Sequence, residues 1–154
     1  MSFRESSINR GIHIRILTSD AKNNRLPENV LIAFRNLENA TKRCTKMQLN
    51  VCVSYGARSD IVNASKTLAK RVTQGEISLS EIDEAEFSRA LCTKGMQPPD
   101  LLIRTSETRL SNFLLWELAF SELHFTTKLW PEIERADLTE ALEEYSKRTR
   151  RFGR

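Results

Sequence analysis

Long hydrophobic runs are missing from the 154-residue sequence. A membrane-spanning helix needs about 20 consecutive apolar residues, and no stretch of the sequence approaches that length. The opening residues, MSFRESSINR, also lack the apolar core that a secretory signal carries. We therefore expect a cytoplasmic protein, or one at the cytosolic face of a membrane, which in a eukaryote would be that of the endoplasmic reticulum.

Cysteine and histidine are scarce, with three and two residues respectively. Cys44, Cys52 and Cys92 are odd in number and show no Cys-x-x-Cys spacing, which argues against a disulfide framework or a zinc site. His13 and His124 are isolated, so neither indicates a metal cluster. We expect the cysteines to be free thiols.

The remaining composition is that of an ordinary globular domain, since 40% of the residues are hydrophobic and 29% are charged. The net charge is +4, and much of the positive excess lies at the end of the chain, at Lys147, Arg148, Arg150, Arg151 and Arg154. Such a run can attract phosphate, nucleic acid or an anionic membrane surface. A solvated helix end is the simpler explanation for most of these charges.

Strand and helix patterns alternate along the chain. Strands are predicted around residues 12–17, 47–54, 101–103 and 124–126. Helices are predicted over residues 26–43, 59–74, 84–91 and 112–120, and from residue 137 or 139 to about 150. Residues 1–10 give no clear element. The alternation predicts one α/β domain over residues 1–154, with a mainly parallel open sheet flanked by helices.

The stretch from Pro98 to Pro131 carries the clearest indication of a site. Leu101–Ile103 reads as a short buried strand that ends on Arg104. After a polar loop, Ser111 stands where a helix N-cap belongs. The residues from Asn112 to Phe120 are apolar almost all round, which predicts a buried helix.

In an open α/β sheet, ligands bind beyond the carboxyl ends of the strands, and a helix start offers free N–H groups. Arg104, Arg109 and Ser111 would then face one spot, and guanidinium groups match phosphate oxygens in pairs. The pattern predicts a receptor for phosphate or diphosphate. The alternative is a strand–helix corner whose arginines only form salt bridges with nearby acids, namely Asp100, Glu107 or Glu117.

Several blocks of this sequence resemble those of a known family. DLLIRT, RLSNFLLWELAFSELHFT and LWPE resemble the C-terminal signature of the cis-prenyltransferases, the undecaprenyl and dehydrodolichyl diphosphate synthases. Upstream, YGARSDIVNA resembles another block of the family, and the final RRFG resembles its C-terminus. The likeness extends from about Ile12 onward and so covers nearly the whole chain.

The resemblance implies a magnesium-dependent enzyme that joins isopentenyl diphosphate to an allylic diphosphate, such as farnesyl diphosphate or a longer one. Its products are long cis-polyprenyl diphosphates for dolichol- or undecaprenol-type lipid carriers. By position, Arg104, Arg109 and Ser111 would bind the diphosphate of isopentenyl diphosphate. Glu122 matches a family glutamate implicated with magnesium, although a helix from Ser111 would place it roughly 16 Å away. A structural ion pair at a dimer interface explains Glu122 equally well.

The resemblance also implies a dimer, either homodimeric or heterodimeric. Arg151 and Gly153 match a terminal Arg-x-Gly signature that is associated with completing the diphosphate site across the dimer. Trp116, Phe120 and Trp130 fit a core or an interface equally well. Peripheral membrane association is compatible with this assignment, and no nucleic acid is expected.

Three departures from the family pattern stand out. The sequence has no Asp-Gly-Asn-Gly-Arg loop, whose aspartate is the family's catalytic magnesium ligand, and no Phe-Ser-x-Glu-Asn block. We therefore expect the N-terminal part of the family fold to be absent, no catalytic residue to be retained and this chain alone to be inactive. The loop RTSETR lacks one residue between its arginines, which is expected to shift Arg109 relative to Arg104. Ala57 and Ser54 replace a usual Gly and a frequent Asn.

Three functions remain open at this point. The first is a cis-prenyltransferase, given as a fragment or a shortened gene product. The second is a non-catalytic partner subunit of a heteromeric cis-prenyltransferase. The third and most distant is a basic nucleic-acid-binding α/β domain, which only the net charge and the arginine-rich tail support. Joint retention of Arg104, Arg109, Ser111 and Glu122 favours descent from a catalytic chain.

Overall fold

The computed structural model describes residues 2–19 and 26–149. The chain forms two compact units, Met1–Gly95 and Met96–Arg154, and each unit has its own pair of strands. Parallel strand pairs and helices alternate within the described residues, which confirms the predicted α/β class. The prediction of one domain over residues 1–154 stays a prediction.

In the described ranges, the first unit contains two strands, four α-helices and one short 3₁₀ helix, Leu79–Glu81. The strands and α-helices are named here in chain order. They are α1 (Phe3–Arg10), β1 (Ile12–Leu17), α2 (Glu28–Thr41), β2 (Met47–Cys52), α3 (Ala57–Thr73) and α4 (Glu84–Ala90). All except α1 were predicted at these places. The sequence signal for α1 is a capping box, in which Ser2 and Glu5 bond each other's backbone N–H groups. Gly11 ends the helix with a φ of 70°, a conformation that glycine adopts without strain.

The core of this unit lies on β1, where Ile14 is fully buried and Leu17 nearly so. β1 and β2 are parallel and in register from Ile12 beside Met47 to Leu17 beside Cys52. Side chains of α2 also bond β1. The Ile14 N–H donates to Thr41 Oγ1 at 3.1 Å, and the Ile16 N–H donates to Glu38 Oε1 at 2.8 Å. These bonds satisfy two backbone donors that would otherwise be buried without a partner.

Side chains fix both the start of α4 and its contact with α3. The Asp83 side chain accepts the Glu86 N–H at 2.7 Å, as expected for a capping residue. The Glu86 carboxylate is almost buried and forms ion pairs with Arg71 and Arg89. Glu86 therefore joins α4 to α3, because Arg71 belongs to α3.

The second unit contains a second parallel pair, β3 (Leu101–Thr105) and β4 (Glu122–Thr126), followed by α5 (Arg135–Lys147). The register runs from Leu101 beside Glu122 to Thr105 beside Thr126. Two short 3₁₀ helices, Glu117–Phe120 and Trp130–Glu132, precede and follow β4. The predicted strand at residues 101–103, the fourth strand and the last helix are thus confirmed, within a few residues at their ends.

The predicted buried helix over Asn112–Phe120 is wrong. Ser111, Asn112 and Leu114 have φ values of 49°, 63° and 44°, and only Glu117–Phe120 forms a 3₁₀ turn. Left-handed residues cannot continue a right-handed helix. Leu114 and Leu118 are nevertheless buried, so an irregular segment buries apolar side chains of this run without a helix. Ser111 is therefore not a helix N-cap, and no helix dipole acts at this place.

Within the described ranges, we find no helix that combines the length and the apolar character needed to cross a bilayer.

Candidate anion-binding site

The end of β3 turns sharply into the loop that carries the predicted site. Ser106 follows the strand with a φ of 62°, a left-handed conformation that is uncommon outside glycine. Its N–H donates to the Lys128 carbonyl at 3.0 Å, and the Glu107 N–H donates to the Thr105 carbonyl at 2.8 Å. The first bond holds the loop against the segment after β4, and the second stabilises the turn itself. Together they position the loop backbone that carries the side chains.

The structure brings three predicted site residues together on one hydroxyl. Arg104 Nη2 donates to Ser111 Oγ at 3.1 Å, and Arg109 Nε donates to the same oxygen at 3.3 Å. A helix start at Ser111 was predicted to bring these groups together. The left-handed turn at Ser111 brings them together instead. Their role towards a ligand stays a prediction.

Glu107 holds the centre of this arginine cluster, which we define as Arg104, Glu107, Arg109 and Ser111. Arg104 Nη2 lies 2.6 Å from Glu107 Oε2, and Arg109 Nη2 lies 2.5 Å from Glu107 Oε1. Ser111 Oγ is 3.3 Å from Glu107 Oε2. The hydrogen bond from Arg104, aided by the Arg109 charge and the Ser111 hydroxyl, lowers the pKa of Glu107 below its ordinary value.

The alternative from sequence, in which nearby acids pair with the arginines, is therefore also realised in part. It is the convergence on Ser111 that goes beyond a simple salt bridge. The shorter loop was expected to shift Arg109 relative to Arg104, yet both guanidiniums reach Ser111 and Glu107. Ser106, just before Glu107, takes a left-handed backbone conformation with a φ of 62°.

One donor in the cluster lacks a bond. The Nε of Arg104 is buried and has no hydrogen-bond partner among the residues that the structure describes. Buried polar groups in native proteins are nearly always paired, so this donor has a bond to offer to a water molecule, to a ligand or to a residue outside the described ranges. An oxygen-rich anion is the natural partner for a guanidinium.

Glu122 does not join the arginine cluster. It is the first residue of β4 and lies beside Leu101, whereas Arg104 lies three residues further along β3, roughly 10 Å at the rise of a strand. Its carboxylate accepts a hydrogen bond from Arg148 Nη1 at 2.9 Å. The expectation that a continuous helix separates Glu122 from Ser111 is wrong, because that helix does not form.

The described residues do not by themselves form a magnesium site. No group of three or more His, Cys, Asp or Glu side chains able to hold a metal ion occurs in residues 2–19 and 26–149. Magnesium in proteins is commonly bound by one or two carboxylates together with substrate phosphates. Glu122 offers one carboxylate, and Arg148 already neutralises it.

Two further predicted residues, Arg151 and Gly153, lie outside the described residues. The two substitutions near α3 can be placed. Ala57 is the first residue of α3 and has no positive φ, so the replacement of a glycine there causes no strain. Ser54 has a φ of 49°, a conformation that asparagine also tolerates, which is a physical reason for the frequent Asn at this position.

A groove between β4 and α5 was not predicted from the sequence. Its volume is about 390 Å³, and its lining includes His124, Glu144 and Arg148. His124 Nδ1 lies 2.9 Å from Glu144 Oε2, and Arg148 is paired with Glu122. These polar groups already have partners within the chain, so the groove offers a ligand fewer free bonds than the arginine cluster does.

A second polar cluster follows the β1–β2 pair, and we call it the serine cluster: Ser19, Gly56, Ser59 and Asn63. The Ser19 hydroxyl oxygen is nearly buried, accepts the Gly56 N–H at 2.7 Å and lies 2.9 Å from the Gly56 carbonyl. Ser59 Oγ is 3.2 Å away, and Asn63 Nδ2 donates to the Ser19 carbonyl at 2.7 Å. Its side chains are neutral, and the bonds named here join members of the cluster to one another.

A parallel strand pair that ends in two guanidiniums, a hydroxyl and a buried donor with no partner among the described residues belongs to an α/β protein, and its arginine cluster is the candidate site for a phosphate-type anion. More specifically, the chain belongs to the family described as "Putative undecaprenyl diphosphate synthase", whose model matches residues 2–153. The resemblance stated from the sequence blocks is thereby confirmed.

Individual relatives agree with this family. The chain is 41% identical over 147 residues to an isoprenyl transferase of Bacillus subtilis, which covers 95% of this chain and 55% of the relative. It is 44% identical over 146 residues to dehydrodolichyl diphosphate synthase 2 of Arabidopsis thaliana, covering 92% and 46%. The chain spans about half the length of the curated relatives it matches.

A solved structure shows the same fold. The crystal structure of lavandulyl diphosphate synthase from Lavandula x intermedia, in complex with dimethylallyl diphosphate, matches with a TM-score of 0.91 at 38% identity. The match covers 98% of this chain and 64% of that one. The fold therefore agrees over nearly all of this chain.

Proposed function

We propose that the chain serves a cis-prenyltransferase, which condenses isopentenyl diphosphate with an allylic diphosphate to make a long-chain polyprenyl diphosphate. Within that reaction, the arginine cluster binds the diphosphate of isopentenyl diphosphate. The observation that carries this proposal is the convergence of Arg104 and Arg109 on the Ser111 hydroxyl. Family membership supports the reaction class.

The chemistry explains why two guanidiniums are useful here. The homoallylic double bond of isopentenyl diphosphate attacks the allylic carbon, the allylic diphosphate leaves, and a proton is lost. Two highly charged molecules must lie close together for this step, so their charges have to be neutralised and their reacting carbons aligned. Arg104 and Arg109 would neutralise one diphosphate, and the Ser111 hydroxyl would orient it.

Other parts of the activity need groups beyond this cluster. The sequence has no Asp-Gly-Asn-Gly-Arg loop, so we propose that this chain alone does not complete the condensation. When bound, magnesium would neutralise the phosphate charge, and we keep Glu122 as one proposed carboxylate ligand. Arg151 and Gly153 stay proposed contacts across a dimer. The alternative is a non-catalytic partner subunit, which would also lack the aspartate loop.

The binding proposal is tested by calorimetric titration of isopentenyl diphosphate into three proteins: the unaltered chain, Arg109→Ala and Lys147→Ala. Charge-assisted bonds to a guanidinium are strong, so we expect Arg109→Ala to weaken binding about tenfold or more. Lys147 lies at the end of α5, outside the arginine cluster. The Lys147→Ala substitution removes the same charge as Arg109→Ala, and this variant should bind normally. Equal losses in the two variants would count against the assigned site.

The activity proposal is tested by incorporation of radiolabelled isopentenyl diphosphate, with farnesyl diphosphate as the allylic substrate. We expect no product from this chain alone. Incorporation after addition of an N-terminal portion of a relative that carries the aspartate loop would support the enzyme. Incorporation only with a complete catalytic chain, with the Arg109 side chain dispensable, would favour the partner subunit.

A further inference from the structure

Glu107 stands out because it occupies the position where a ligand anion would be bound. Its two carboxylate oxygens each take a different arginine, Oε2 from Arg104 and Oε1 from Arg109. The Ser111 hydroxyl also lies within hydrogen-bond distance of Oε2. All three groups that we assign to the diphosphate therefore contact an anion that belongs to the chain.

The fit of this internal anion is incomplete. A carboxylate has two oxygens, and both are already engaged by the Nη2 atoms of the arginines. The buried Nε of Arg104 keeps no partner among the described residues. A phosphate group presents three acceptor oxygens, so it can bond both guanidiniums and also reach a further donor. The cluster thus suits a phosphate-type ligand better than it suits the carboxylate that it holds.

We propose that Glu107 is an intramolecular placeholder, whose carboxylate occupies the arginine cluster when no ligand is bound and must swing out before a diphosphate can enter. This inference rests on the proposed diphosphate site. The lowered pKa of Glu107 agrees with it, since the group stays ionised at neutral pH and keeps competing. When only a fraction of the molecules is in the binding-competent state, the apparent affinity for the ligand is reduced by that fraction.

The placeholder has a consequence for repeated chain growth. The allylic diphosphate leaves in each condensation, so the product carries the diphosphate that arrived with isopentenyl diphosphate. That group must quit the cluster before the next isopentenyl diphosphate binds. Return of the Glu107 carboxylate would favour its departure, and it would keep the two guanidiniums from repelling each other in the empty site.

The test is a calorimetric titration of inorganic pyrophosphate into the unaltered chain, Glu107→Gln and Glu143→Gln. Glu143 lies on α5 and is exposed. Glu143→Gln removes the same charge as Glu107→Gln, which makes it the matched control. Exposed ion pairs are individually weak, so we expect Glu107→Gln to bind pyrophosphate about fivefold more tightly. Glu143→Gln should bind as the unaltered chain does.

A second measurement needs no variant. The ¹³C resonance of the Glu107 carboxyl carbon, followed by NMR against pH, should report a higher pKa when pyrophosphate is saturating, because the arginine bonds are then lost. An unchanged pKa, or weaker or equal binding by Glu107→Gln while the unaltered chain binds, overturns the placeholder and leaves the diphosphate site intact. Pyrophosphate binding by Glu107→Gln alone supports the placeholder. No binding by either protein overturns both proposals.

Discussion

Both strand pairs of this protein are followed by a polar cluster that contains a serine hydroxyl, and the two clusters differ in almost every other respect. The serine cluster after β1–β2 is neutral, and the Ser19 hydroxyl is nearly buried and bonded to the Gly56 backbone. The arginine cluster after β3–β4 is charged, and its Ser111 is exposed. One of its buried donors, Arg104 Nε, has no partner among the described residues.

The difference separates a structural cluster from the cluster that we propose to bind a ligand. Where polar groups bond only each other and are shielded from water, their loss costs folding free energy, because a buried partner is left unpaired. Where cations gather at a surface with an unpaired donor, a ligand can improve on the existing bonds. The same position beyond parallel strands therefore supports two different roles.

The largest expected effect concerns the strands beneath the two clusters. Ile14 of β1 is fully buried, so Ile14→Ala should lower the free energy of unfolding by about 2–5 kcal/mol. Ile103 of β3 is only partly buried, and Ile103→Ala should cost roughly half as much. Urea unfolding followed by circular dichroism measures both. Equal losses would show that the two strand pairs do not differ in packing.

The next effect separates the two clusters directly. Ser19→Ala leaves the Gly56 N–H without its acceptor and should lower the free energy of unfolding by about 1–3 kcal/mol. Its affinity for pyrophosphate should not change. Ser111→Ala should leave the free energy of unfolding within about 0.5 kcal/mol of the original, since Ser111 is exposed. It should weaken pyrophosphate binding severalfold. The reverse pattern would exchange the roles that we assign.

A smaller effect concerns the backbone that leads into each cluster. Ser54 after β2 and Ser106 after β3 have φ values of 49° and 62°. Glycine adopts this conformation freely, so Ser54→Gly and Ser106→Gly should each raise the free energy of unfolding by up to about 1 kcal/mol. The matched variants Ser54→Ala and Ser106→Ala should give no gain. If alanine stabilised as much as glycine, the strain would not come from φ.

The smallest expected effect on stability comes from an ion pair of the second unit, Lys128 and Asp137, to which we assign no role in ligand binding. Lys128 Nζ lies 2.6 Å from Asp137 Oδ1, and this hydrogen bond lowers the pKa of Asp137 and raises that of Lys128. A lowered carboxyl pKa stabilises the fold above the unfolded-state pKa, and this stabilisation is lost as pH falls through the folded-state value. The Lys128 contribution is lost when pH rises through its raised pKa.

Lys128→Met removes this pair, so the difference in stability from the unaltered chain should be greatest near neutral pH. It should shrink on acidification and again in strong alkali. Urea unfolding at a series of pH values measures it, and Lys128→Arg should retain the pair. A difference that stays constant with pH would exclude the pair as its cause.

Much of the fold could be predicted from the spacing of apolar residues, because most strands and helices bury one regular face. The alternation of Ile12, Ile14 and Ile16 predicted β1, and the helical spacing after Pro27 predicted α2. The segment from Asn112 to Phe120 could not be assigned this way. An apolar run demands burial, but it does not say whether a helix or a chain of left-handed turns will provide it.

The site was predicted for a partly wrong reason. Arg104, Arg109 and Ser111 do come together, but the turn at Ser111 brings them there rather than a helix start. Glu107 entered the prediction only as one of several salt-bridge partners. Its central place depends on the direction of the loop after Ser106, which no spacing in the sequence encodes. The distance of Glu122 from the cluster likewise follows from the strand register.

The amino-acid sequence by itself determined the α/β class, most of the strand and helix positions, the family and the residues that we propose for the anion site, because residue types and their periodicity express burial and charge locally. Only the tertiary structure decided that Glu107 occupies the space between the arginines, that Glu122 pairs with Arg148, and that the chain after Ser111 is not helical. These three outcomes depend on backbone direction and strand register, which arise from contacts between residues far apart in the sequence.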